Sequence, residues 1–251
     1  MKKDANNVLD LEALRRGCRN CSVNELCLPA PLHGDDLDRL VGMLTSGDYE
    51  RGRHVFNIGD RCRNLYVVQK GSLKSWVTTL HGHVQVLGFH LPGEIIGLDG
   101  LDSLRHQSTV EPLEHSVICR LPYEDLENVA ARIPSLHRQL LRVISREIII
   151  EHEHIMMMSS RPAIERVALF LQVLAQRRTL RGHPPRLLEL SMSRADLANY
   201  LALASETVSR MLTTLQTRSF IRLSHRKLEI LDPYGLAEVS GEELGSMSLA
   251  D

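Results

Sequence analysis

The chain has 251 residues, of which 43% are hydrophobic and 24% charged, and a net charge of −1 at pH 7; this is a soluble globular composition with enough length for one large domain or two ordinary ones. No apolar run approaches the ~20 residues of a membrane span, and the opening MKKDANNVLDLEALRRG lacks the apolar core of a secretory signal, so membrane and secreted classes are excluded and a cytoplasmic location is expected. The small net charge hides an asymmetry: residues 161–231 carry twelve basic and five acidic side chains, whereas residues 232–251 carry five acids and no base, which points to one segment that meets a polyanion.

In chain order, residues 1–34 form an irregular leader with Cys18, Cys21 and Cys27 in GCRNCSVNELCLP. In a reducing compartment, three thiols within ten positions point to metal or redox chemistry before disulfides. Their spacing does not choose between zinc and an iron–sulfur centre, and no βαβ pattern surrounds CRNC to make it a thiol oxidoreductase. From about 48 to 121 the texture is short alternating runs broken by glycine, such as HVFNIGD, NLYVVQKGSLKSWVTT, HVQVLGFHLPGEIIG and EHSVICRLP. Lys70-Gly71-Ser72 and His81-Gly82-His83 sit between such runs as hairpin turns do, which predicts a small antiparallel barrel or sandwich.

YEDLENVAARIP reads as a short helix, and a longer helical pattern runs from Pro134 to Ser159. Along it Leu141, Ile144, Ile148, Glu151, Ile155 and Met158 recur at alternating spacings of three and four, the a/d seam of a helix that packs along another helix. The alternative is a single helix lying on its own domain's core. Glu151 places a carboxylate in that seam, where two facing copies would repel. Ser159-Ser160-Arg161-Pro162 breaks the pattern, and a new helix is expected from Pro162 to Arg178. His152 and His154, two apart on a helix, point to different faces and do not chelate together.

SMSRADLANYLALASETVSRMLTTLQ, residues 191–216, is the stretch that decides function. Ser193 with Asp196 three residues on predicts a helix start, with a first helix over Arg194–Leu201. A short turn over 202–204 leads to a second helix capped by Ser205, with Val208, Met211, Leu212 and Leu215 facing inward. Two such helices match a helix-turn-helix, whose second helix enters the major groove. On its outer face Glu206, Ser209 and Arg210 are the candidate base readers: Arg pairs with guanine and Glu accepts from cytosine. Glu206 and Arg210 are also i,i+4 neighbours, within reach of each other. FIRLSHRKLEI then reads as a hairpin wing, with Ser205, Arg194, Arg222, His225, Arg226 and Lys227 as supporting DNA contacts. Ala202 occupies a tight-turn position where glycine is common, which predicts mild strain. No nucleophile–base pair, phosphate loop or paired acids is recognisable, so an enzyme is the less favoured class.

Taken together, CRNCSVNELCLP, GFHLPGEIIGLDGL, VICRLPYEDLE, LRVISREI and NYLALASETVSRML, in this order, make the chain resemble the CRP/FNR superfamily of bacterial transcription regulators, and within it the oxygen-sensing fumarate and nitrate reduction group. The resemblance spans residues 17 to about 232. It implies an α+β fold with an antiparallel β-roll sensor domain of the cyclic-nucleotide-binding, jelly-roll kind. The implied divisions are a cysteine-rich segment (1–34), the β-roll (35–133), a dimerisation helix (134–160), a winged helix-turn-helix (161–232) and a weakly ordered acidic tail (233–251). It further implies a [4Fe–4S] cluster on Cys18, Cys21, Cys27 and Cys119, with zinc at the same thiols as the alternative. Its implied partners are double-stranded DNA of the TTGAT…ATCAA type, a second copy in a monomer–dimer equilibrium, and RNA polymerase. The role implied is mainly that of an activator of anaerobic genes. Cyclic-nucleotide-binding relatives hold phosphate with an Arg-Ser pair where this chain reads RHQSTVEP, and Gln107-Ser108 brings no cation, so no cyclic nucleotide is expected. Cys62 reads as a partly exposed loop cysteine, or as a substitute ligand should Cys119 not serve.

Overall fold

The computed structural model describes residues 18, 21, 26–158 and 161–241. Most of the leader, Ser159-Ser160 and the tail beyond 241 lie outside the described residues. A helix the sequence reading did not foresee, α1 (Gly34–Met43), precedes the roll and buries Leu37, Leu40 and Val41.

The roll itself consists of β1 (Thr45–Tyr49), β2 (Asn64–Lys70), β3 (Leu73–Thr78), β4 (Val84–His90), β5 (Ile95–Ile96), β6 (Thr109–Pro112) and β7 (Ser116–Pro122). They form a sheet ordered β1-β7-β2-β5 and a second ordered β4-β3-β6. Of the two expected hairpins one exists: β3 turns into its partner β4 at Gly82, whereas the turn at Gly71 carries the chain from β2 in the first sheet to β3 in the second, so those two strands do not pair. Gly71 has no alternative residue, because it lies at φ +86° and a Cβ there would come within 2.3 Å of Ser116 Oγ. HVFNIGD is not a strand; it contributes a single bridge, Phe56 to Val110. One core, built on Phe56, Tyr66, Val68 and Ile118, lies between the sheets. A second lies between β1-β7-β2, α1 and the following helices.

Helix α2 (Tyr123–Ala130) and the long α3 (Pro134–Met158) follow the sequence reading closely. One face of α3 is buried through Leu136, Gln139, Val143, His154 and Met157, while Leu141, Ile148 and Ile155 remain 54%, 50% and 60% exposed on the other. Ile144 and Met158 are half-buried and Glu151 is exposed, so most of the predicted seam faces outward.

The carboxy-terminal unit contains α4 (Ala163–Thr179), β8 (Leu187–Glu189), α5 (Arg194–Tyr200), α6 (Ser205–Thr217), β9 (Ile221–Ser224), β10 (Lys227–Ile230) and α7 (Pro233–Ser240). Its sheet is ordered β8-β10-β9, so the wing hairpin gains a third strand. Residues 233–240 depart from the expected weakly ordered tail. Asp232 accepts from Gly235 N at the helix start, Pro233 suits the first turn, and Leu236 and Ala237 are buried in the core shared with α4. That same core includes Val86, Phe89 and Leu91 of the roll, so the β4-β3-β6 sheet and the carboxy-terminal unit are packed together.

Candidate cysteine centre and DNA-reading head

Cys18, Cys21, Cys27 and Cys119 line one small cavity, closed by apolar side chains such as Leu28, Leu40 and Val67. Cys119 is delivered by β7, where it pairs with Ser46 of β1 and Val67 of β2. The other three come from the leader, which turns through Cys21 N to Cys18 O at 3.3 Å and Ala30 N to Cys27 O at 3.2 Å. Leu28 is almost fully buried and shares one hydrophobic core with Leu136 and Val143 of α3. Two polar groups unforeseen from sequence touch the site. Gln69 Oε1 lies 3.8 Å from Cys119 Sγ, and Gln139 Nε2 of α3 donates to Cys27 O at 3.1 Å.

Loss of solvent, then the neighbouring Cys18 and Cys21, pushes the Cys119 thiol up to about 12. Burial likewise raises Cys27 and Cys18. Without a cation Cys18, Cys27 and Cys119 are therefore held as neutral thiols, and a bound cation would reverse that by favouring thiolates. Among the described residues, no group of three or more His, Cys, Asp or Glu is gathered closely enough to hold a single metal ion. Cys62 is elsewhere and is not partly exposed: it is 4% exposed, with Sγ directed at Gly97 O at 3.7 Å. It does not line the cysteine cavity and so offers no substitute ligand there.

The reading head is built locally. Ser193 and Asp196 form a reciprocal capping box at the start of α5. Ala202 in the turn lies at φ +51°, the strained left-handed region, with Arg166 Nη1 donating to Leu201 O at 3.1 Å beside it. Ser205 is not the cap of α6; Ala204 holds that position and no side chain caps it. Val208, Leu212 and Leu215 face the core, leaving Glu206, Ser209 and Arg210 exposed. Arg210 Nη2 donates to Thr207 Oγ1 at 3.3 Å, and the Glu206–Arg210 ion pair the spacing allowed does not form. Ser209 Oγ donates to Ser205 O at 2.9 Å. On the wing, Arg226 and Lys227 are exposed, whereas Arg222 is engaged with Glu229 across the hairpin at 2.7 Å. Arg194, at the start of α5, is half-buried.

In the RHQSTVEP stretch, Ser108 Oγ donates to Asp99 Oδ2 at 2.7 Å and Gln107 N donates to the same oxygen at 3.1 Å. A carboxylate already occupies the donors, and an anion placed there would be repelled.

Two families match the chain: a cyclic nucleotide-binding domain over residues 47–132 and a Crp-like helix-turn-helix domain over residues 165–239. The transcriptional activator protein Anr of Pseudomonas protegens is 39% identical over 89% of this chain and 92% of its own length. The chain belongs to the CRP/FNR family of transcription regulators. The fumarate and nitrate reduction regulatory proteins of Vibrio cholerae and Escherichia coli are 36% and 34% identical over 89% of this chain and 90% of theirs. Among solved structures, FixK2 from Bradyrhizobium japonicum matches with a TM-score of 0.71 at 26% identity, covering 78% of this chain and 96% of that one. The CRP/FNR architecture accounts for the β-roll, the long helix and the helix-turn-helix together, and it makes this chain a regulator rather than an enzyme. No helix among the described residues is long and apolar enough to cross a membrane.

Proposed function

We propose that the chain is an oxygen-responsive transcription activator that carries a [4Fe–4S] cluster on Cys18, Cys21, Cys27 and Cys119. The carrying observation is the convergence of these four thiols, three from the leader and one from β7, on one apolar cavity. Four thiolates are what such a cluster requires. Zinc on the same four thiols is the alternative, and metal and sulfide analysis separates the two. The regulators of fumarate and nitrate reduction among the relatives support the same reading.

When bound, the cluster supplies an oxygen-labile tie between the leader and the roll. The chain's own residues then link that leader to pairing. Leu28 and Cys27 O lie against Leu136, Val143 and Gln139 on the inner face of α3; Leu141, Ile148 and Ile155 on its outer face meet a second copy. Glu151 raises the cost of that meeting by like-charge repulsion. In the pair, two α6 helices present one helical turn apart, ~34–36 Å, with Glu206, Ser209 and Arg210 reading TTGAT…ATCAA-type half-sites and the wing residues Arg226 and Lys227 on phosphates. An activator of this kind has RNA polymerase as its further partner, and the chain works in the bacterial cytoplasm.

The test is anaerobic purification with iron, sulfide and zinc analysis, visible absorption before and after air, and DNA binding in both states. Iron and sulfide with a colour that bleaches as DNA affinity falls is the expected result. Stoichiometric zinc in a colourless protein, or anaerobic DNA binding retained in both Cys21→Ser and Cys119→Ser, would overturn the cluster.

A further inference from the structure

The reading head is attached to its own sensor roll by polar contacts on two sides. On α5, the Asn199 amide meets the free edge of β4: Val86 N donates to Asn199 Oδ1 at 2.6 Å, and Asn199 Nδ2 donates to Val84 O at 2.6 Å. Asn199 thereby behaves as a one-residue strand partner and satisfies an edge that would otherwise face water. One turn earlier, Lys74 of β3 donates to Asp196 at 2.7 Å and also pairs with Glu111 at 2.9 Å, with all three side chains largely withdrawn from solvent. Arg177 of α4 and Arg181, in the turn just after it, close on Glu94, in the β4–β5 turn, at 2.5 and 2.6 Å. Arg177 also donates to Phe89 O at 2.6 Å, and Arg181 to Pro92 O. Glu94 is 4% exposed, and its carboxylate is held low by the two guanidinium groups, against the opposing effect of burial.

A third side is closed by the pairing helix. His154 of α3 stacks on the Tyr200 ring, centroids 3.9 Å apart, and its Nε2 lies 2.9 Å from Tyr200 O. The first helix of the reading head is therefore fixed to the roll and to α3 at once. These contacts are directional, and the amide–edge and Arg–carboxylate pairs tolerate little sliding. None of them involves the exposed face of α6.

We infer that Asn199 and Glu94 are positioning residues for DNA recognition: they fix each reading head to its own roll, so that docking geometry sets the half-site spacing the paired chain accepts. The inference rests on the reading of the chain as a paired binder of palindromic DNA. Loss of either contact would leave the base-reading face intact while allowing the head to shift against its roll.

The experiment is selection of duplexes from a random-sequence pool by the anaerobically purified full-length protein, followed by sequencing. The variants are Asn199→Asp, which keeps shape but turns the donor to Val84 O into an acceptor, and Glu94→Gln. A third, Phe56→Leu, loosens the core between the roll's sheets, away from the head. Wild type and Phe56→Leu are expected to enrich one half-site pair at one spacer length. Asn199→Asp and Glu94→Gln are expected to enrich the same half-sites, with the share at that spacer reduced several-fold in favour of neighbouring lengths. Recovery of the single wild-type spacer by both docking variants, even at lower affinity, would overturn the inference and leave the function standing. An equal spread of spacers in Phe56→Leu would overturn it too, by making the effect one of stability. Failure of wild type to enrich any paired half-sites would overturn the proposed function and the inference with it.

Discussion

Gln139, in the second turn of α3, donates its amide to the carbonyl oxygen of Cys27 at 3.1 Å. This contact joins a candidate cluster ligand directly to the long helix. Cys27 O also accepts from Ala30 N, so Gln139→Ala does not strand the carbonyl. The expected loss is near the ordinary worth of one hydrogen bond, about 1 kcal/mol, measured by denaturant unfolding. Cys27 should also react faster with an alkylating reagent in the metal-free variant; an unchanged rate would show that the contact does not restrain the loop.

Glu147 predicts a pH dependence. Loss of solvent around its carboxyl, then the neighbouring Glu94 and Glu151, outweigh Arg177 and Arg146 and raise it to about 8 from its ordinary 4.5. The folded chain thus holds a proton that the unfolded chain has released between these values, and stability falls as pH rises through that window. Below it both states are protonated, and above it both are ionised, so the profile flattens at either end. Glu147→Gln should remove this slope and exceed wild-type stability at the alkaline end. Denaturation midpoints followed across the window test it, and parallel profiles for the two proteins would refute it.

Ala202 at φ +51° is a residue with a Cβ in a conformation that glycine adopts freely. It is exposed, so Ala202→Gly removes no packing. The strain relieved, about 1–2 kcal/mol, is partly offset by the greater freedom of glycine in the unfolded chain. A net gain of about 0.5–1 kcal/mol in thermal stability is expected, with half-site sequence preference unchanged.

Helix α7 should prove integral to the reading head. Leu236 is fully buried in the core it shares with α4, and Leu236→Ala should cost about 2–5 kcal/mol. A variant as stable as wild type would mean that residues 233–240 are dispensable to the domain.

What could be read from sequence tracks how local its cause is. The capping box needs only Ser193 and Asp196, three positions apart, and the long helix α3 needs only a period. The segment 233–240 reads as tail because the acidic, Gly/Ser-containing composition of residues 232–251 as a whole outweighs a shorter signal, Asp232-Pro233, that starts a helix. Strand β8 has three residues and exists through its pairing with β10, forty positions away. Asn199, Lys74 and Gln139 carry no signal at all in one dimension: their partners lie 113, 122 and 112 residues distant. The burial of Cys62 likewise depends on close approach to Gly100, where a Cβ would strike its sulfur.

Glu206, Ser209 and Arg210 are exposed while the head is docked, so under the proposed function a single chain already presents the contacts for one half-site. What a second copy adds is effective concentration: once one head is seated, the other is held within reach of its own half-site. While most copies are single, occupancy of a palindrome then grows with the square of the chain's abundance. Under the proposed function, the amount of protein a cell makes is therefore a second input to the switch, able to move its threshold with no change in the signal that governs pairing.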